Sequence, residues 1–548
     1  MSSEGIVAPA HRLRVGDASR PWKWRLLAGV LSLAPLPVAA ATPDLLSYLR
    51  ARAADGDNAP QVAAPLYAAA LAASPGDPAV AAYAYREAIV AGDLALAARA
   101  ARVLGRAAPA DADLLAVAEA AATDDLAAAD AAIARLRQGR LAVLAAPLAA
   151  WAAFARGADP LPLLATARDD AVARRFAAES RGLILIAQGN KAEGLATLRA
   201  TIGLDQAAED LRVAAARLLI GAGDTAAARG LLAGDAAPLV ALRKHPRGGA
   251  RAGLAFGASA LFTRVASDLA LGPPGPLPLV LAQAAVRADP GNDRARLLLA
   301  FALGRGGVVT RALETLAAVP ADSPYAAAAQ AGRVQVLSEA GRAEEALAEA
   351  RAAATGHDAP DAALQRLGDL LMAAARPREA VPAYRKLLDR AGDQADWALW
   401  LQYGGALDEA GDWPRAEQAL ARAVALAPEE PVALNYLGYA RIVHGGPIAP
   451  AAALLERASK LRPDDAAITD SLGWAYHLAG RSGQALPLLE RAAAASPDNA
   501  EIGEHLGDAY WALGRRYEAR YAWRAAQVVA DSDEAGRLAA KIANGPGR

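Results

Sequence analysis

Apolar residues along this chain recur three and four positions apart, and short breaks containing Gly or Pro cut the pattern into brief segments. Between residues 466 and 497, positions 472, 476 and 479 form one apolar stripe and positions 485, 488, 489 and 492 a second, with Gly480 between them. This spacing predicts a helix, a tight turn and a second helix. Pro497 ends the second helix, and Asp498-Asn499 is placed to accept the free N–H groups of the next one, as Asp464-Asp465 is for the first. A single hairpin of this kind leaves an apolar face bare, so its stability must come from stacking on neighbours.

The same lettering returns 34 residues on. Leu472-Gly473, Tyr476, Gly480, Ala485, Leu489 and Ala492 align with Leu506-Gly507, Tyr510, Gly514, Ala519, Trp523 and Ala526. A unit of this length, with Leu-Gly, an aromatic three residues on, a turn glycine, small residues and a closing proline, resembles the tetratricopeptide repeat. The resemblance implies an all-α fold, a right-handed α-solenoid of stacked antiparallel helix hairpins. The 54% hydrophobic content is rich in Ala, which favours helix without demanding large core volumes.

Taken in order, Tyr85, Ala88, Gly92, Ala97, Ala101 and Pro109 fit the template, which fades between about 139 and 162. It returns at Gly182–Leu198 and again at Ala216–Leu232. Residues 239–278 are the main irregularity: Arg243-Lys244-His245-Pro246-Arg247-Gly248-Gly249, an apolar helix around 254–271, then Gly272-Pro273-Pro274-Gly275-Pro276. Proline and glycine at this density end helices, so a loop, a hinge or a joint between two arrays is expected, with a boundary near 275. The expected organisation is a leader over 1–41, a degenerate helical array over 42–275, a second array over 276–530, and a capping helix with a frayed tail over 531–548. Units of the second array begin near Asp293, Ala327, Asp361, Trp397, Pro431, Ala466 and Ala500. One extra residue near Gly445-Gly446-Pro447 lengthens the step from Pro428 to Pro463 to 35.

The N-terminus adds an expectation about location. Arg12, Arg14, Arg20, Lys23 and Arg25 precede the apolar run 26–36, which is followed by Val38-Ala39-Ala40-Ala41. These are the parts of a secretory signal peptide cleaved before Ala41 or Thr42, which places the mature chain in the periplasm or otherwise outside the cytoplasm. The alternative is an uncleaved membrane anchor, but the run is shorter than the roughly 20 residues needed to span a bilayer, contains Pro35 and is followed by Pro37. The first 25 residues carry +3 of an overall −1, leaving −4 for the rest, so no general attraction to nucleic acid is expected. The absence of cysteine excludes disulfides, thiol catalysis, thiolate metal sites and lipid attachment through Cys.

No enzyme signature emerges. Gly304-Arg305-Gly306-Gly307 lacks the spacing of a phosphate loop, Gly257-Ala258-Ser259-Ala260-Leu261 lacks the second glycine of a nucleophile elbow, and the six histidines are scattered. His477 and His505 fall on neighbouring helices, where packing is the simpler role than metal binding, and no cofactor is expected. The tetratricopeptide resemblance implies a concave surface lined by the first helix of each unit. Its positions here are Val432, Asn435, Tyr439 and Ile442, then Ala467, Asp470, Trp474 and His477, then Glu501, Glu504, Asp508 and Trp511. From these, Asn435, Tyr439, Asp470, Trp474, His477, Glu504, Asp508 and Trp511 are the candidate partner-binding groove. Carboxylates there would favour Lys or Arg of a protein or peptide partner, and the aromatics would offer flat apolar and cation–π surfaces. The competing reading packs the aromatics between helices and pairs the carboxylates with Arg441, Arg481 or Arg515.

The wording Asn435-Tyr436-Leu437-Gly438-Tyr439, Asp470-Ser471-Leu472-Gly473-Trp474 and Glu504-His505-Leu506-Gly507-Asp508 also resembles bacterial envelope tetratricopeptide proteins. Some of these are lipoprotein adaptors of a carboxyl-terminal-processing protease. That likeness spans about 397–527 and implies an envelope protease or its substrates as partner, although the chain lacks the lipid-bearing Cys. The expected function is a non-catalytic exported scaffold or adaptor. The alternative is an assembly component of an envelope export or polysaccharide-secretion machine, binding through the N-terminal array or the convex face.

Overall fold

The computed structural model describes residues 43–546 except 168–169, 202–205, 274 and 357–358. The expected leader therefore lies outside the described residues. Among the described residues, thirty α-helices and three short 3-10 turns account for the regular structure, and there is no strand. No described helix is long and apolar enough to cross a membrane. Helix contacts divide the chain into two compact units, 43–349 and 350–546.

The second unit is a stack of hairpins. Its repeating parts are Trp397–Glu409 with Trp413–Leu426, Pro431–Val443 with Ile448–Leu461, Ala466–Leu478 with Ser482–Ala495, and Ala500–Ala512 with Arg516–Val529. Each turn holds a glycine in the left-handed region, at Gly411, Gly445, Gly480 and Gly514. The spacing of these four locates the extra residue after Gly445, at Gly446, whose N–H donates to Arg441 O over 2.7 Å. Asp465 and Asn499 cap the next helices, accepting from Ile468 N and Ile502 N at 3.1 Å each.

Within each hairpin, a glycine on the first helix faces a large apolar residue on the second. A Cβ at Gly404, Gly438 or Gly473 would lie 2.8, 2.9 or 2.8 Å from Leu420, Leu455 or Leu489, so the helices approach this closely only because no side chain is there. The Tyr476 hydroxyl donates to Glu456 over 2.9 Å and the Tyr510 hydroxyl to Glu490 over 2.7 Å, the same bond one unit later. Helix Ser532–Asn544 closes the stack, with a capping box at Asp531 and Glu534 and with Leu538 buried against Trp523 and Ala526.

The first unit also contains stacked hairpins, but its chain closes on itself. In a linear stack each unit touches only its neighbours. Here helix Pro276–Ala288 packs against helix Ala112–Ala122, and Arg287 pairs with Glu119 at 2.7 Å across 168 residues. Arg311 donates to Ile89 O at 3.0 Å, and Asn58 donates to Gly306 O at 3.2 Å. The joint expected near 275 thus falls inside this unit, between helices Leu254–Ala270 and Pro276–Ala288, which pack on each other. The division between units lies at 349/350. Proline and glycine at 272–276 end a helix, as read from the sequence, without ending a compact unit.

Candidate functional site

The first helices of the last three hairpins, Pro431–Val443, Ala466–Leu478 and Ala500–Ala512, carry the eight candidate residues. Most of them meet in one network. The Trp474 ring is stacked between His505, at 4.0 Å between centroids, and His477, at 5.0 Å. Tyr439 extends the column, its ring 6.4 Å from His505 and its hydroxyl donating to Glu501. His505 Nδ1 lies 2.9 Å from Asp470 Oδ2, joining two successive units.

The carboxylates are more enclosed than an open acidic groove requires: Asp470, Glu504 and Asp508 are 5%, 7% and 8% exposed. Their partners are not the arginines considered from the sequence. Arg441 pairs with Glu417, Arg481 with Gln484, and Arg515 with Glu518. Glu504 and Asp508 are instead held by the closing helix. Lys541 Nζ lies 2.7 Å from Glu504 and 2.6 Å from Asp508, and Arg537 lies 3.0 Å from Glu504. Trp523 Nε1 donates to Asp508 over 3.1 Å. Trp511 is tilted on Trp523 at 5.4 Å, with the Arg516 guanidinium 3.8 Å above its ring.

The network sets the protonation of its members. Burial alone would lower the His505 pKa, but the Asp470 carboxylate, by charge and hydrogen bond, raises it above the ordinary value. His477 has no such partner and is lowered, by burial first. Burial pushes Glu504 up, and hydrogen bonds from Arg537 and Lys541 overcome this and hold it below the usual carboxylate range. Burial and then the Glu501 charge push the Tyr439 hydroxyl up.

Two acceptors remain unanswered. Asp470 Oδ1 and Asn435 Oδ1 are buried with no hydrogen-bond partner. Both belong to the candidate set, while Tyr439, Trp474 and His477 stay half-buried beside them. The arrangement can therefore receive hydrogen-bond donors and flat apolar groups. The sequence reading placed Glu501 on the row without choosing it as a candidate, gave His505 a packing role, and missed Arg537 and Lys541. The signal for the last two was present, since each basic residue follows its carboxylate by 33 residues, close to one repeat.

Repeated, stacked helix hairpins define a helical repeat protein, a fold typical of protein-interaction scaffolds. More particularly, residues 366–445 and 446–500 match the tetratricopeptide repeat family model, so this part of the chain consists of tetratricopeptide repeats. Among solved structures, TTC0263, a thermophilic tetratricopeptide repeat protein of Thermus thermophilus, is 22% identical. The match covers 34% of this chain and all of that one, with a TM-score of 0.30. A tetratricopeptide repeat protein from Parabacteroides merdae is 16% identical over 46% of this chain and 97% of its own, with a TM-score of 0.39. A MamA structure designated MSR-1 C2 is 23% identical over 32% and 98%, with a TM-score of 0.26. A comparison with curated protein sequences returns no match.

Proposed function

We propose that the chain is a non-catalytic, exported scaffold or adaptor that holds a protein partner against the first-helix row of its last repeats. The observation that carries this reading is the pairing of two buried, unanswered acceptors, Asp470 Oδ1 and Asn435 Oδ1, with the half-buried Tyr439, Trp474 and His477. A partner segment bearing a Lys, Arg or amide donor next to an apolar or flat group matches both parts. A preformed helical surface binds such a segment without a folding cost of its own, and several units supply contacts in series. The likeness of 397–527 to envelope adaptors makes an envelope protease, or the proteins delivered to it, the partner to look for.

The Trp474→Ala/His477→Ala double variant is expected to lose at least tenfold in partner recovery after crosslinking in intact cells, with helix content unchanged by circular dichroism. Partner recovery equal to wild type would refute the groove as the binding surface. Export predicts that intact-mass analysis of the protein from expressing cells shows removal of residues 1–40 or 1–41. A full-length mass in a cytoplasmic fraction would overturn that location.

A further inference from the structure

The stretch between helices Ala237–Lys244 and Leu254–Ala270 forms a wall. It runs across helix Gln206–Gly221, where Ala250 N donates to Arg217 O over 2.8 Å and Arg217 Nε donates to Gly248 O over 3.3 Å. The approach is so close that a Cβ on Gly249 would sit 2.5 Å from Gly221 N. The wall forms one lip of a cavity of about 90 Å³ within the first unit.

One side of the cavity is apolar, with Trp151, Leu183, Leu211, Phe256 and Leu261. The other is polar, and its four carboxylates are each taken by an arginine. Glu179 pairs with Arg264 at 3.3 Å, Asp210 with Arg294 at 2.8 Å, Asp289 with Arg217 at 3.1 Å, and Asp293 with Arg296. Among the lining groups left over, alongside the Ser180 hydroxyl, are a cation and a phenol. Arg247, exposed on the lip, has no ion-pair or hydrogen-bond partner among the described residues. The Tyr325 hydroxyl has none among them either, although the residue is only 6% exposed. A hydroxyl that lines the cavity without a protein acceptor can donate to a ligand oxygen.

We propose that this cavity binds a small free carboxylic acid with a short branched aliphatic tail. The tail lies against Trp151 and Phe256, Arg247 supplies the opposite charge, and the Tyr325 hydroxyl donates a hydrogen bond to the ligand. Size sets the tail: an apolar cavity of about 150 Å³ accepts benzene, so one of this volume takes only a few carbons. Charge sets the head group, because the arginine on the lip is the one lining cation left without a partner among the described residues.

Isothermal titration of the full-length protein tests the proposal with isovalerate, its neutral isostere isovaleramide, and acetyl-glycyl-leucine. Isovalerate is expected to bind saturably and about three- to fivefold more tightly than the amide, the value of one partly exposed charge pair. Arg247→Gln, at an exposed position, is expected to abolish that preference while leaving amide binding unchanged. Tyr325→Phe is expected to weaken both ligands. Absence of saturable isovalerate binding, equal affinity for acid and amide, or an unchanged preference in Arg247→Gln would each overturn the site. Tighter binding of the peptide than of isovalerate would overturn the free-acid assignment by placing the carboxylate on a polypeptide end.

Discussion

Replacing Lys541 with methionine is expected to destabilise the second unit by about 3 kcal/mol near neutral pH, the scale for removing one partner of a buried charge cluster. Lys541 bridges Glu504 and Asp508 at 2.7 and 2.6 Å, and the side chains of these carboxylates are 9% and 10% exposed. Without the ammonium, two enclosed negative charges face each other with only Arg537 and the Trp523 N–H left to compensate. The pH dependence distinguishes this cause from lost packing. In the wild type Glu504 is held below its ordinary pKa, so its contribution is present above the unfolded value of about 4.3 and is lost as pH falls through the lower folded value. In the variant Glu504 loses one of the two hydrogen bonds that offset its burial, so its folded pKa rises and it binds a proton more readily as pH falls. The deficit against wild type should therefore be greatest near pH 7 and shrink towards pH 4. Urea unfolding at both values measures it, and a deficit below about 1 kcal/mol, or one that does not change with pH, contradicts the role given to Lys541.

In the first unit, the largest effect is expected from a single methyl group. Trp151 is fully buried, its ring edge-on to Phe154 and Phe256 at 5.6 and 5.7 Å. A Cβ on Gly257 would stand 2.1 Å from the indole. Because the ring is rigid and enclosed, Gly257→Ala must displace either the helix Leu254–Ala270 or the tryptophan. A loss of about 3 kcal/mol is expected, at the upper end for overpacking and against the usual preference of a helix for alanine over glycine. Thermal unfolding of Gly257→Ala and of Gly257→Ala/Trp151→Leu separates collision from backbone effects. The second substitution should recover part of the loss, and a double variant no more stable than the sum of its singles would remove the steric explanation.

These two sites mark where the sequence was legible and where it was not. The hairpins of the second unit could be read because their determinants lie close together along the chain. Gly473 meets Leu489 within one hairpin, and Gly480 makes the turn between its helices. Repetition then supplied the register. The membership of Asp470, Trp474, Glu504 and Asp508 in one row followed from the same register. What the row faces was harder to read: the 33-residue offset links Arg537 and Lys541 to Glu504 and Asp508, but the helix that carries them otherwise breaks the repeat pattern. The 239–278 region was legible as irregular and no further. Its shape depends on Arg217 holding Gly248 and Ala250, contacts with no local periodicity to announce them.

The closing helix has a consequence for how the array could change in length. Arg537 and Lys541 recognise carboxylates of the immediately preceding first helix at an offset of 33 residues, one short of the 34-residue step between units. Termination is thus written in two basic residues and their spacing, separately from the determinants that build each hairpin. An interior hairpin could be removed or duplicated without disturbing this junction, provided that the hairpin before the helix keeps carboxylates at the Glu504 and Asp508 positions.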